Sequence, residues 1–222
     1  YDLPVNPCKK VKRMGNSDSR SLNFWTLDEY KQFIQTMEPG TRYYLIFEML
    51  FWTGCRIGEL LAITKADINF EKNQLSINKT YYRTGMQDII TEPKTKQSFR
   101  TIEIPEFLKE EIKEFVDGHY GMPDTERLFP VVQEAVQHKM KRQIELAGVK
   151  KIRVHDLRHS HVAYLIEKGV EPLLIRDRLG HKDIRITLNT YGHLYPNQQR
   201  KIANLLDNEN AVTGLGEERD EC

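Results

Sequence analysis

The sequence predicts a mostly α-helical α+β domain with a small three-stranded antiparallel sheet, and three observations carry that expectation. Apolar residues recur at helical spacing along most of the chain, while period-two alternation is confined to short stretches between Gln74 and Ile104. No apolar run approaches the roughly eighteen residues that a membrane helix needs. With 222 residues there is enough chain for a large hydrophobic core.

Residues 1–23 are rich in Pro, Asn, Ser, Lys and Arg and read as a linker; with no apolar stretch behind the basic residues they do not form a signal peptide. Helix begins at Thr26, which composes a capping box with Glu29, and runs to about Met37. A second helix runs from about Thr41 to Thr53; the segment YYLIFEMLFW is apolar nearly all round, as a core helix must be. The stretch TGCRIGELLAI opens on a glycine break and leads into a short helix. Three strands follow at Gln74–Asn78, Asp88–Thr91 and Phe99–Ile104, with the basic connection EPKTKQS between the last two. Helices return at Glu106–Val116, Val131–Ala147, Asp156–Lys168, Pro172–Leu179, Ile184–Tyr191 and Gln198–Leu206. The last has Ile202, Leu205 and Leu206 at a spacing that forms one apolar face.

Cys8, Cys55 and Cys222 are odd in number and far apart, which fits a reducing compartment better than a disulfide framework. The formal charge of +1 hides an asymmetry. Residues 207–222 read as an acidic flexible tail with six acids and one base, leaving 32 bases against 26 acids, or +6, on residues 1–206. A basic body suits a polyanionic partner such as DNA.

Five separated motifs hold the residues able to do chemistry: TGCRIGEL with Arg56, the PKTK turn with Lys94, HDLRH with His155 and Arg158, LGHKD with His181, and NTYGHL with Tyr191. In this order, across residues 25–206, they resemble the catalytic domain of the tyrosine recombinases, the site-specific DNA integrases of phages and conjugative transposons. The resemblance implies that family's catalytic fold over residues 24–206. It also implies DNA-binding domains preceding the linker, four protomers on two DNA segments, and exchange of the C-terminal helix between neighbours. An excisionase or host DNA-bending protein is an expected partner, a membrane is not, and the expected location is the bacterial cytoplasm, at the nucleoid.

Attack on a phosphodiester spreads negative charge over the non-bridging oxygens, and the leaving oxygen needs a proton. Arg56 and Arg158 offer forked donors that lysine cannot reproduce. His155 and His181 can add hydrogen bonds, and Glu59, three residues after Arg56, can orient its guanidinium. By the resemblance, Lys94 is the general acid and Tyr191 the nucleophile, leaving a 3′-phosphotyrosyl link and a free 5′ hydroxyl. Ionising a tyrosine of pKa about 10 at pH 7 costs about 4 kcal/mol, and the resemblance places His155 to accept the proton. Because the phosphotyrosine stores the energy of the broken bond, neither ATP nor a metal is expected, and no P-loop pattern is present.

Competing readings attach to several positions. Lys96 rivals Lys94, and Tyr195, one turn beyond Tyr191, rivals the nucleophile. His161 reads as structural and His159 as packing or DNA-adjacent. His155 and His159 have the i, i+4 spacing of a zincin helix, but Asp156 stands where that motif needs glutamate. Arg83, Lys96, Arg100, Lys139, Lys141 and Arg142 are candidate contacts to the DNA backbone. From another functional class, a catalytically inactive or regulatory DNA-binding module would have lost at least one of the six catalytic residues. A type IB topoisomerase would share the chemistry without joining two duplexes.

Overall fold

The computed structural model describes residues 23–93, 98–119, 121–194, 203–204 and 206–209. Helix α1 (Leu27–Ile34) starts with the predicted capping box: Thr26 N–H donates to Glu29 Oε2 at 2.8 Å, and Glu29 N–H to Thr26 Oγ1 at 3.3 Å. Trp25 pins this start to the rest of the domain, its backbone N–H donating to Ser160 Oγ and its indole to the Lys150 carbonyl. Helix α2 (Arg42–Thr53) is buried around almost its whole circumference, as its unbroken apolar run requires. It ends at Gly54, whose φ of +65° is the left-handed cap that glycine favours. Helix α3 (Ile57–Leu60) follows at once.

The sheet region differs from expectation. A three-stranded antiparallel sheet is present, but its strands are β1 (Ile68–Asn69), β2 (Gln74–Ile77) and β5 (Arg100–Glu103), in the order β1-β2-β5 with Leu75 opposite Ile102. Strands β3 (Thr80–Thr84) and β4 (Gln87–Thr91) form a separate hairpin. Gly85 takes the first place of its two-residue turn with φ +60°. The segment 92–99 therefore joins two sheets instead of closing a hairpin within one. Its residues 94–97, including Lys94 and Lys96, lie outside the described residues. Gly58 explains how α3 approaches the hairpin: a Cβ there would stand 2.8 Å from Thr80 Oγ1 and from the Tyr81 carbonyl.

Helices α4 (Glu106–Asp117) and α5 (Gln133–Ala147) cover the core, which extends from Trp25 to Leu157. Three more helices, α6 (Asp156–Glu167), α7 (Pro172–Leu179) and α8 (Ile184–Tyr191), match the predicted bounds to within a residue. The far side of α6 builds a smaller cluster with them, of Val162, Ile166, Ile175, Leu179 and Tyr191. Each fully buried aliphatic side chain contributes about 1.5–3 kcal/mol, so α7 and α8 rest on few such contributions. Residues 203–204 and 206–209 are helical; Leu206 is exposed, while Ile202 and Leu205 of the expected apolar face lie outside the described residues, as do residues 1–22 and Tyr195. No helix among the described residues is long and apolar enough to cross a membrane.

Candidate active site

Two helix ends build the site. The C-termini of α2 and α7 leave unpaired carbonyls and carry the negative end of the helix dipole, a setting that favours a cation. Arg158, on the first turn of α6, occupies it: Nη1 donates to the Gly54 carbonyl and Nη2 to the Leu179 carbonyl, both at 2.7 Å. The side chain is 3% exposed. Burial, together with the Arg56 cation, pulls its pKa down to about 10, so it remains charged at neutral pH.

Arg56 caps α3, and Glu59 binds it twice, through the backbone N–H at 2.8 Å and Nη1 at 2.7 Å. The expected partnership of these two residues is thus present, with Arg56 left 40% exposed toward solvent. The same carboxylate takes Arg100 Nη1 and Nη2, at 3.1 and 2.9 Å. Burial raises the Glu59 pKa, but the Arg100 hydrogen bonds and the two arginine charges outweigh it and hold the carboxyl down at about 2. Arg56 and Arg100 thus share one carboxylate, and with the Arg158 guanidinium close by the pocket keeps a net positive charge.

His181 follows the left-handed cap Gly180 at the end of α7, and its Nδ1 pairs with Thr187 Oγ1 on α8 at 2.9 Å. Burial and the neighbouring Arg158 and Arg56 charges push its pKa down to about 4, so at neutral pH it is an uncharged hydrogen-bonding group. His155 stands at the N-terminus of α6, exposed at its rim; the protein packed around it, with the Arg158 charge, lowers its pKa. Tyr191 is 2% exposed on α8, and its hydroxyl lies 2.6 Å from Nδ1 of His159. Burial raises its pKa to about 12 despite the nearby Arg158. Ionising it at pH 7 would cost about 7 kcal/mol in this closed setting.

Two expectations need correction. Arg100 is not a free contact for a DNA backbone: its side chain is 6% exposed and is spent on Glu59 and on the Arg178 and Ser98 carbonyls. And the histidine against the Tyr191 hydroxyl is His159, not His155. Helical spacing from His155 placed His159 on its own helix but gave no sign that α8 returns to meet it. Of the other candidate contacts, Lys141 borders a cleft of about 650 Å³ that runs from Ile57 and His155 past Lys151 and Arg153. Lys139 and Arg142 line a different cleft, with Tyr43 and His138, on the other side of α5. Arg83 is on the β3–β4 hairpin beside Asp88, with which it pairs at 3.6 Å. His161 is buried and accepts a hydrogen bond from Arg178 Nε at 3.1 Å. No cluster of three His, Cys, Asp or Glu side chains among the described residues is placed to hold a metal ion.

The profile of the Phage integrase family matches residues 23–198, which include every one of these side chains. The chain belongs to the phage integrase family. It is 32% identical to the ICEBs1 integrase of Bacillus subtilis (strain 168), over 92% of this chain and 59% of that protein. It is 28% identical to a tyrosine recombinase XerC-like protein of Caldanaerobacter subterraneus, over 92% and 60%. The chain thus spans about six-tenths of the length of these curated relatives. The fold is also that of the Tn1549 transposon integrase, solved in complex with a circular intermediate DNA; the TM-score is 0.72 at 20% identity, covering 88% of this chain and 68% of that one. Within the phage integrase family, the five motifs that carry the resemblance thus belong to a matched domain.

Proposed function

We propose that this chain is the catalytic part of a site-specific integrase that cuts and rejoins DNA strands through a 3′-phosphotyrosyl intermediate, moving a conjugative transposon or a phage genome. The observation that carries the reading is the positive pocket of Arg56, Arg100 and Arg158 with Glu59, beside the buried hydroxyl of Tyr191. A cation held between two helix ends with no carboxylate of its own is stabilised by an arriving anion, and a scissile phosphate supplies one.

In this scheme Arg158 and Arg56 hold the non-bridging oxygens, and His155 and neutral His181 donate further hydrogen bonds to them. Tyr191 Oη attacks phosphorus. Lys94, or its neighbour Lys96, protonates the leaving 5′ oxygen. Glu59 fixes Arg56, and Arg100 fixes Glu59. The duplex flanking the phosphate runs along the cleft by His155, where Lys141, Lys151 and Arg153 meet its backbone. The energy of the broken bond is kept in the phosphotyrosine, so the scheme needs no ATP and no metal.

The same reading extends beyond the catalytic domain. DNA-binding domains precede the linker of residues 1–23, four protomers assemble on two duplexes, and the segment from Gln198 exchanges between neighbours; the protein acts at the nucleoid, with an excisionase or DNA-bending partner setting direction. Strand exchange tests the whole. Two labelled duplexes bearing the element's ends, given the longer protein, yield recombinant strands. Relaxation of supercoils without joining would point to a topoisomerase, and binding without cleavage to a regulatory module.

A further inference from the structure

We propose that His159 is the base that takes the phenolic proton of Tyr191 as the tyrosine attacks DNA, leaving His155 to the phosphate; the assignment rests on the strand-cleaving reading above. His159 Nδ1 and Tyr191 Oη are 2.6 Å apart, and their rings meet at 54° with centroids 5.6 Å apart. Because Tyr191 is buried, water does not compete for that hydrogen bond. With Nδ1 accepting, the ring proton of His159 sits on Nε2, the tautomer a base needs. His155 stands edge-on to His159, 5.3 Å between centroids. The i, i+4 pair on α6 is thereby divided: one imidazole faces the cationic pocket and the other faces α8.

The charged groups around His159 keep it ready. From its own helix come His155, Asp156 and Arg158, from the preceding segment Arg153, from the turn before α8 His181, and from α8 Tyr191. Burial first, then His155 and the two arginine cations, hold its imidazole below the usual range against the pull of Asp156, so its lone pair is free at neutral pH. The step balances. The Oη–H proton passes to Nδ1, Oη forms the bond to phosphorus, and the bond from phosphorus to the 5′ oxygen breaks. That oxygen takes its proton from the acid on the leaving side, the role proposed for Lys94. In the reverse reaction His159 returns its proton to the departing tyrosine.

Single-turnover formation of the protein–DNA adduct on a nicked suicide duplex, from pH 5.5 to 9.5, tests this. His159→Gln keeps the size and offers an amide oxygen to the hydroxyl, so the bond survives without a base; His159→Ala removes both. Each variant is assayed on the ordinary phosphate and on one with sulfur at the 5′ bridging position, whose leaving group needs no proton. Wild-type protein shows an acid limb. At pH 7 His159→Gln is slower by about 10²-fold or more on both substrates; the imidazole break that ends the limb is gone, and the rate climbs steadily with hydroxide across the whole range. His155→Gln retains the limb. An unchanged limb in His159→Gln, or rescue of its rate by sulfur, overturns the assignment. Adduct persisting in Tyr191→Phe, or none from the wild type, overturns instead the strand-cleaving reading on which it rests.

Discussion

Glu59 is shared by two arginines, and both members of its pair with Arg100 are nearly buried, at 4% and 6% exposure. Breaking such a pair leaves an uncompensated buried cation, which typically costs about 3–5 kcal/mol. Glu59→Gln is therefore expected to lower the urea-unfolding free energy by about 3 kcal/mol and to slow strand cleavage by freeing Arg56. A loss below about 0.5 kcal/mol, the scale of an ordinary surface change, would contradict the role given to the carboxylate. Motif order made legible that Arg56, His155, Arg158, His181 and Tyr191 belong to one neighbourhood, and the structure brings them together. The function of Arg100 was not legible, because a basic residue in a strand looks the same in sequence whether it faces DNA or a buried acid. His159 was missed for a related reason: its partner is 32 residues away, on a helix whose return path no local pattern encodes.

At the level of elements, the cap of α2 does two jobs. Gly54 ends the helix in the left-handed region, and its carbonyl anchors Arg158. A Cβ there would also fall 2.5 Å from Cδ2 of buried His161. Gly148 caps α5 with a nearly identical φ of +67°, and nothing lies within 4 Å of the added carbon. The two alanine variants form a controlled pair. Gly148→Ala is expected to cost about 1–2 kcal/mol, the backbone penalty alone. Gly54→Ala is expected to cost at least about 1–3 kcal/mol more for the clash and to abolish cleavage with it. Equal losses in chemical denaturation would show that the His161 contact does not matter. The helices were readable because each carries its own period and caps, Thr26 with Glu29 and Pro172 with Gly180 among them. The sheets were readable only in part. Alternation marks Gln74–Ile77 as a strand but cannot say that it pairs with Arg100–Glu103 while the intervening strands pair with each other. Pairing partners are a non-local choice.

Over the whole molecule, the folded state resists protonation. His161, held at about 3, and His181, at about 4, both sit below their ordinary 6.5, chiefly through burial. Between pH 6.5 and 4 the unfolded chain binds protons that the folded one refuses, so stability falls as pH falls through that window. Glu59, near 2 against 4.5, extends the loss below pH 4.5. Glu111 acts in the opposite sense. Burial and Glu48 raise it to about 7, so its contribution is full below pH 4.5 and is lost as pH rises to 7. Two histidines outweigh one glutamate, and the urea midpoint is expected to fall from pH 7 to 5.5 and more steeply to 4. A midpoint that rises on acidification would contradict the burial described for the histidines. At this scale charge alone does not separate the candidates: Lys139 and Arg142 are as basic as Lys141, yet they border a cleft on the other side of α5 from His155.

Covalent joining of Tyr191 to DNA is directly observable. A nicked suicide duplex carrying the element's end is incubated in EDTA with wild-type protein and with Tyr191→Phe, and the products are resolved under denaturing conditions before and after protease. Wild-type protein is expected to give a protease-sensitive adduct at the DNA 3′ end, and the variant none. An adduct of undiminished yield from Tyr191→Phe would contradict covalent joining at Tyr191 and move the nucleophile elsewhere, with Tyr195 the first residue to replace.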